Sequence, residues 1–263
     1  PCEGMKRAGQ FGRHMNDPKK HRLDALTVER GLADTRAKAK ALVMAGLVYS
    51  GERRLEKPGQ AVAADVPVQV RGRDHPWVSR GGVKLAHGLT ELGIDPQGRI
   101  ALDIGASTGG FTHVLLDRGV AKVYAVDVGH GVLDWSLRND ERVIVLERTN
   151  ARNLTAVQIP EAPDIIVCDA SFIGLETVLL GALALAAPGC DLLALIKPQF
   201  EVGSGRVGKG GVVRDSALHE EVCARIGAWL VAQPGWRVLG LTESPLEGPA
   251  GNKEFLIAAR YGA

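Results

Sequence analysis

The sequence predicts an α/β protein: a mostly parallel sheet with helices on both faces, an antiparallel last strand, and a small α+β module ahead of it. Three observations carry this. From Ser79 onward, short runs rich in Val, Ile and Leu alternate with helix-period segments, the pattern of crossover units in a parallel sheet. One run, Ile100 to Ile104, leads into a glycine turn at Gly105 and then into a helical pattern. That order builds a ligand site at the carboxyl edge of an open sheet. The charge is also divided. Residues 1–84 hold 17 Lys+Arg against 9 Asp+Glu, and residues 85–263 hold 15 against 21. A basic first third on an acidic body marks a polyanion-binding arm beside a catalytic or binding domain.

Four segments follow. Residues 1–20 read as an extension expected to be disordered, with Met15 a plausible biological start. Residues 21–70 form the basic module. Its first helix begins at Arg22-Leu23-Asp24 and stops at Gly31; its second runs from Arg36 to Ala45, with Thr35 as N-cap and Gly46 as stop. Ala39, Leu42 and Val43 have core-facing spacing. Leu47-Val48-Tyr49 and Val66 to Val70 read as strands, separated by turns at Ser50-Gly51 and Lys57-Pro58-Gly59. Arg22, Arg36, Lys38 and Lys40 are the candidate RNA contacts here, joined by Arg80 beyond the linker. Residues 71–79 are that linker, broken by Gly72 and Pro76, with Trp77 expected to anchor it by burying its ring. Residues 80–263 are the main domain. Its expected helices are Gly82 to Leu92, Gly109 to Arg118, Leu175 to Ala187 and Leu218 to Ala232. Its expected strands are Ile100 to Ile104, Lys122 to Val128, Val143 to Leu146, Ile165 to Asp169, Asp191 to Lys197, Trp236 to Thr242 and Phe255 to Tyr261. The Gly- and Lys/Arg-rich stretch from Gly203 to Gly211 reads as a mobile substrate loop.

Bulk properties exclude several classes. Hydrophobic content of 45% with 24% charged residues is that of a soluble globular protein. Cys2, Cys168, Cys190 and Cys223 form no C-x-x-C pair and have no His at ligand spacing, so reduced thiols in a cytoplasmic protein are expected, without a metal site. No apolar run has the length of a membrane span, and the start lacks a signal-peptide core.

The glycine loop is Asp103-Ile104-Gly105-Ala106-Ser107-Thr108-Gly109-Gly110-Phe111. Its glycines allow close backbone approach, but their spacing is not the G-x-G-x-x-G of dinucleotide binders. Asp127 closes the second strand of the domain, where an acidic residue can accept from two ribose hydroxyls. Asp103 before the first glycine, the glycine spacing and the terminal strand pattern favour S-adenosylmethionine over a nicotinamide cofactor. The expected cofactor contacts are Asp103, Gly105, Ser107, Thr108, Gly109, Gly110, Phe111, Asp127, Val128, Asn150, Ala151 and Asp169.

Four chemically active residues should reach the same rim. Asp169 and Lys197 end adjacent parallel strands; Glu254 begins an antiparallel one; Lys84 approaches from the helix before the first strand. A methyl on a sulfonium is already activated and needs an oxygen nucleophile aligned with it. A ribose 2′-hydroxyl becomes that nucleophile when its proton is taken. Lys197 is the candidate base, with its pKa expected to fall through burial and the nearby Lys84. Asp169 positions Lys197, and Glu254 orients a lysine or the ribose.

These motifs carry a resemblance. Residues 22–59, through Arg22-Leu23-Asp24, Arg30-Gly31-Leu32-Ala33, Thr35-Arg36, Gly46-x-Val48 and Lys57-Pro58-Gly59, resemble the S-four-type RNA-binding module, with Thr35 where that module often has Ser. Val78-Ser79-Arg80-Gly81-Gly82-x-Lys84, the glycine loop, Asp127-Val128-Gly129, Asn150-Ala151-Arg152, Asp169-x-Ser171-Phe172, Lys197-Pro198-Gln199-Phe200-Glu201 and Gly251-Asn252-x-Glu254-Phe255 resemble the FtsJ-type ribose 2′-O-methyltransferases. Their catalytic tetrad is Lys-Asp-Lys-Glu. The two together resemble the hemolysin A-type (TlyA) ribosomal RNA methyltransferases. This implies a Rossmann-like sheet, S-adenosylmethionine as methyl donor, and 2′-O-methylation of cytidine in ribosomal RNA or ribosomal subunits, with no membrane partner. Gly129-His130-Gly131-Val132 departs from the family's usual Gly-Tyr-Gly-Gln. Competing readings are a non-catalytic RNA-binding or ribosome-assembly factor, a membrane-lytic hemolysin and a nicotinamide oxidoreductase.

Overall fold

The computed structural model describes residues 20–33, 35–71, 75–248 and 251–262. The expected N-terminal extension, apart from Lys20, and Cys2 lie outside them. The basic module comprises β1 (Lys20–Arg22), α1 (Leu23–Glu29), α2 (Arg36–Met44), β2 (Val48–Ser50), β3 (Arg53–Arg54), β4 (Ala61–Ala63) and β5 (Gln69–Val70). Thr35 caps α2, its side chain accepting from the Lys38 N–H at 3.2 Å. Leu23, Leu26, Val43, Val48, Leu55 and Val68 form its core. β1 pairs with β4, and β2 with β3 and β5. The strand expected over Val66 to Val70 shrinks to β5, because Val66 instead turns back onto Ala63 through its N–H and lies against the core.

The main domain comprises α3 (Gly81–Glu91), β6 (Ile100–Ile104), α4 (Gly110–Asp117), β7 (Lys122–Val126), α5 (Trp135–Arg138), β8 (Val143–Leu146), β9 (Ile165–Cys168), α6 (Leu175–Val178), α7 (Leu180–Leu183), β10 (Asp191–Ile196), α8 (Pro198–Glu201), α9 (Ser216–Ala232), β11 (Trp236–Glu243) and β12 (Phe255–Tyr261). Seven strands lie in the order β11-β12-β10-β9-β6-β7-β8. The strands from β10 to β8 are parallel, and β12 runs antiparallel to both β10 and β11, the sheet the sequence predicts. Strand alternation sorts the side chains into two cores. Leu102, Ile104, Ile166 and Leu192 face α6, α7 and α9, whereas Ala101, Ile165, Val167 and Leu193 face α3 and α4. The single helix expected over Leu175 to Ala187 is divided at Leu179, which is fully buried. Gly181 lies so near the backbone carbonyls of Ala151 and Arg152 that an added Cβ would stand 2.9 Å and 3.0 Å from their oxygens.

Trp77 anchors the linker as expected. Its indole N–H donates to Asp117 Oδ2 at 2.9 Å, and its ring fills the space where a Cβ on Gly82 would sit. Cys168, Cys190 and Cys223 are buried free thiols; burial pushes Cys168 up to about 12 and Cys223 up to about 11, so neither is a nucleophile.

Candidate active site

Register brings the reactive residues together. Ile196 pairs with Phe255, and Ala194 with Cys168. Lys197 and Glu254 therefore flank one rung, and Asp169 leaves the neighbouring strand at the same edge. Lys84 reaches them from α3 as two ion pairs form. Lys84 Nζ lies 2.5 Å from Glu254 Oε2, with side chains only 9% and 0% exposed. Lys197 Nζ lies 2.6 Å from Asp169 Oδ1, in an ion pair not aligned as a hydrogen bond. Lys197 also donates to the Asp169 carbonyl at 3.2 Å and to Ser171 Oγ at 2.8 Å.

One expectation is reversed here. Burial pulls the Lys197 pKa down, but the Asp169 and Glu254 carboxylates outweigh it and hold the pKa above the ordinary lysine value. Lys84 is the partner of Glu254 rather than a bare cation pressing on Lys197. In the resting site Lys197 is an ammonium, a donor before it can be a base.

The tetrad opens on a cavity of about 200 Å³. One wall is the glycine loop, through Thr108, Gly110 and Phe111; the opposite wall is the basic module, through Met44, Arg54 and Glu56. Arg80 also lines it, its Cδ against Gly46 of the module and its guanidinium donating to the Glu247 carbonyl at 3.2 Å. Sequence reasoning missed the module's share, since nothing local marks a contact between separate domains.

A second cavity, of about 390 Å³, lies across the loop and is lined by Gly105, Ser107, Asp127, Val128, Asn150 and Ala151, with Asp169 at the junction. Its size is that of a small-molecule pocket. Its walls are preorganised. Asp127 accepts from the Ser107 N–H at 2.8 Å and the Gly129 N–H at 2.6 Å, leaving lone pairs for ligand hydroxyls. Gly105 has φ +80°, and a Cβ there would stand 3.0 Å from the Ala170 nitrogen. Asn150 caps the following turn through the Arg152 N–H. Gly109 takes φ +95° at the foot of α4, against Leu133 and Leu137, and lines neither cavity.

Asp103 also lines neither cavity. Strand alternation turns it under α4, where it is fully buried and Oδ2 accepts from Thr112 Oγ1 at 2.6 Å. Burial pushes its carboxyl up to about 7. Its place is beneath the glycine loop, not on the ligand face. The expected RNA contacts in the module are accessible but organised: Arg22 and Arg36, 57% and 60% exposed, both pair with the buried Asp24. Those guanidiniums hold the Asp24 carboxyl down at about 2, the Arg22 hydrogen bond foremost. Lys38 and Lys40 are exposed on α2. The Gly203–Gly211 stretch is tied at Arg206 to Glu221 and, through the Gly211 carbonyl, to Asn252 Nδ2 at 2.9 Å.

Phe172 has no role in the sequence reading beyond its place in a motif. It holds φ +66° while 90% exposed, at the rim of the larger cavity, with its ring 5.0 Å from that of Phe200. An exposed aromatic in a strained conformation points to function rather than folding. Its signal, an aromatic three residues after a strand-end carboxylate, is visible in sequence but has no unique meaning there.

Residues 77–261 match the FtsJ-like methyltransferase family and residues 21–66 the S4 domain. The chain is 48% identical to the 16S/23S rRNA (cytidine-2′-O)-methyltransferase TlyA of Mycobacterium tuberculosis, over 91% of this chain and 89% of that protein. It is 37% identical to Hemolysin A of Brachyspira hyodysenteriae, over 89% of this chain and 98% of that one. Among solved structures, a protein from Streptococcus thermophilus described as a hemolysin superposes with a TM-score of 0.72 at 40% identity, covering 93% of this chain and 89% of the other.

Proposed function

The chain belongs to the FtsJ-like methyltransferase family, and from that premise we propose that it methylates the 2′-hydroxyl of a ribose, that of a cytidine, in ribosomal RNA or ribosomal subunits. The methyl donor is S-adenosylmethionine, which supplies an activated methyl group. One observation carries the reading: both Lys–carboxylate pairs converge on a cavity that shares the glycine loop and Asp169 with the larger cavity next to it.

The residues present fit such a donor. The larger cavity offers the Asp127 carboxylate for hydroxyls and the Asp169 carboxylate at the junction for positive charge. On the acceptor side, Glu254 Oε1 is buried without a hydrogen-bond partner, an orphan that a ribose hydroxyl can satisfy. Lys84 holds Glu254 in place and adds positive potential where an alkoxide develops. As an ammonium Lys197 orients the attacking oxygen by donation; it takes the hydroxyl proton only after losing one of its own to solvent, a loss that becomes easier once Asp169's hold on the ammonium weakens. Asp169 is thus the lever that sets when Lys197 becomes a base.

The S4 domain and its Arg22–Asp24–Arg36 cluster dock the chain on folded RNA by shape and backbone charge. Phe172 receives the unstacked base of the target nucleotide on its ring. The test is transfer of labelled methyl from S-adenosylmethionine to ribosomal RNA prepared from cells lacking this protein. The wild-type chain labels that RNA. Lys197→Ala loses at least ~10²-fold in turnover and still binds the donor by calorimetry; retained turnover removes Lys197 from the role of base.

A further inference from the structure

Lys197 has three N–H bonds and three oxygen partners: Asp169 Oδ1 at 2.6 Å, the Asp169 carbonyl at 3.2 Å and Ser171 Oγ at 2.8 Å. The carbonyl can only accept, and Oδ1, although a carboxylate oxygen can take up a proton, is buried with no partner to pass it to. Ser171 Oγ can accept a proton on one side and release one on the other. It is exposed, it lines both cavities, and among the described residues nothing accepts its own hydroxyl proton. The other groups facing Lys197 offer no such exit. Glu254 from β12 holds Lys84 from α3 through Oε2, and its Oε1 is buried with no group to pass a proton on to; Cys168 on β9 is a buried thiol. The Lys197 side chain is 9% exposed, and a ribose seated on the tetrad covers the cavity through which water would reach Nζ directly.

The reaction makes an exit necessary. Methyl transfer to a hydroxyl forms one C–O bond and breaks one C–S bond, whose electron pair stays on sulfur. The O–H bond also breaks; its pair stays on oxygen and its proton passes to the Nζ lone pair. Each turnover therefore leaves one proton on Lys197, and the next cannot begin until it departs.

We propose that Ser171 is the outlet for that proton: Oγ accepts it from Nζ while the serine's own hydroxyl proton passes to water or a buffer base. The bookkeeping closes at one proton released per methyl transferred, with Ser171 and Lys197 restored. This rests on the reading of Lys197 as base. Ser171 acts through Lys197 and is a positioning and relay residue, not one that touches the reacting atoms.

The test compares wild type, Ser171→Ala and Ser171→Thr at saturating S-adenosylmethionine and ribosomal RNA, across a range of imidazole buffer concentrations at constant pH and ionic strength. Ser171→Ala is expected to lose on the order of 10²-fold in kcat and to become faster as imidazole is raised, because a small base replaces the missing hydroxyl. Ser171→Thr keeps the hydroxyl, and its kcat stays near the wild-type value with no dependence on imidazole. Melting temperature stays at the wild-type value in both, and saturating donor removes any effect of the substitutions on its affinity. A Ser171→Ala enzyme as fast as wild type, or slow but insensitive to imidazole, overturns the outlet, as does a threonine variant as slow as alanine. Wild-type turnover separates the two claims. If wild type itself fails to methylate, the base reading falls and the outlet with it; if wild type turns over and Ser171→Ala is unaffected, the outlet alone falls.

Discussion

Replacing Glu254 by Gln removes one charge from a pair whose N–O distance is 2.5 Å and whose side chains are 9% and 0% exposed. Lys84 is then left as a buried cation with no counter-ion. Breaking one side of a buried pair costs roughly 3–5 kcal/mol. In a chain of this size each kcal/mol moves the melting temperature by about 2–4 °C, so Glu254→Gln is expected to melt ~6–20 °C lower. Removing both charges, in the double variant Lys84→Met/Glu254→Gln, relieves the uncompensated charge and should recover more than half of that loss. Activity behaves differently. Neither variant methylates RNA at a useful rate, since both lack the paired charges at the reacting oxygen. Any residual turnover of Glu254→Gln shifts to lower pH, because Glu254 is one of the two carboxylates that hold the Lys197 pKa up. Calorimetric melting and labelled-methyl transfer on the same preparations are the assays. A Glu254→Gln protein as stable as wild type refutes the buried-pair energetics; a double variant with wild-type turnover shows the pair to be scaffold only.

Other predictions concern separate parts of the molecule. Phe172→Ala deletes a side chain that is 90% exposed, so stability should change by no more than ~0.5 kcal/mol, while RNA turnover drops by the equivalent of about 1–3 kcal/mol of base stacking. Asp103 has a folded pKa raised from 3.8 to about 7. Its favourable contribution is complete below the unfolded value and is lost as pH rises through the folded one, a change of roughly 4 kcal/mol. Melting temperature should therefore decline between about pH 4 and pH 7, and Asp103→Asn should flatten that slope. Arg22→Ala and Arg36→Ala should each weaken binding to all structured RNAs alike and reduce the slope of log K against log salt by about 1; an unchanged slope places those guanidiniums off the RNA.

Much of the site was legible because strand ends announce themselves. Asp169 and Lys197 each follow an unbroken apolar run, and a run beginning just after Glu254 fits an antiparallel return, so their convergence follows from topology. Thr35, Trp77 and Gly105 were equally readable, since each does a local job that its residue type dictates. What escaped depends on contacts that a linear pattern does not encode. The β1–β4 pair joins Lys20–Arg22 to Ala61–Ala63, two three-residue strands too short to show a period. The division of the helix at Leu179 reflects close approach of Gly181 to the chain at Ala151. The direction of the Lys197 shift depends on which carboxylate each lysine faces, a side-chain geometry that residue types alone leave open. Asp103 shows the reverse error: its place in a ligand motif suggested contact, whereas alternation along β6 turned it inward.

Alkaline hydrolysis of the methylated RNA tests the central claim most directly. Hydroxide cleaves RNA through the 2′-oxygen, so a methyl at that oxygen protects one phosphodiester bond. The wild-type chain, given S-adenosylmethionine, should leave a single class of alkali-resistant dinucleotide carrying the label on its ribose, and Lys197→Ala should leave none. Label recovered on a base, or fully hydrolysed RNA after a complete reaction, contradicts the account.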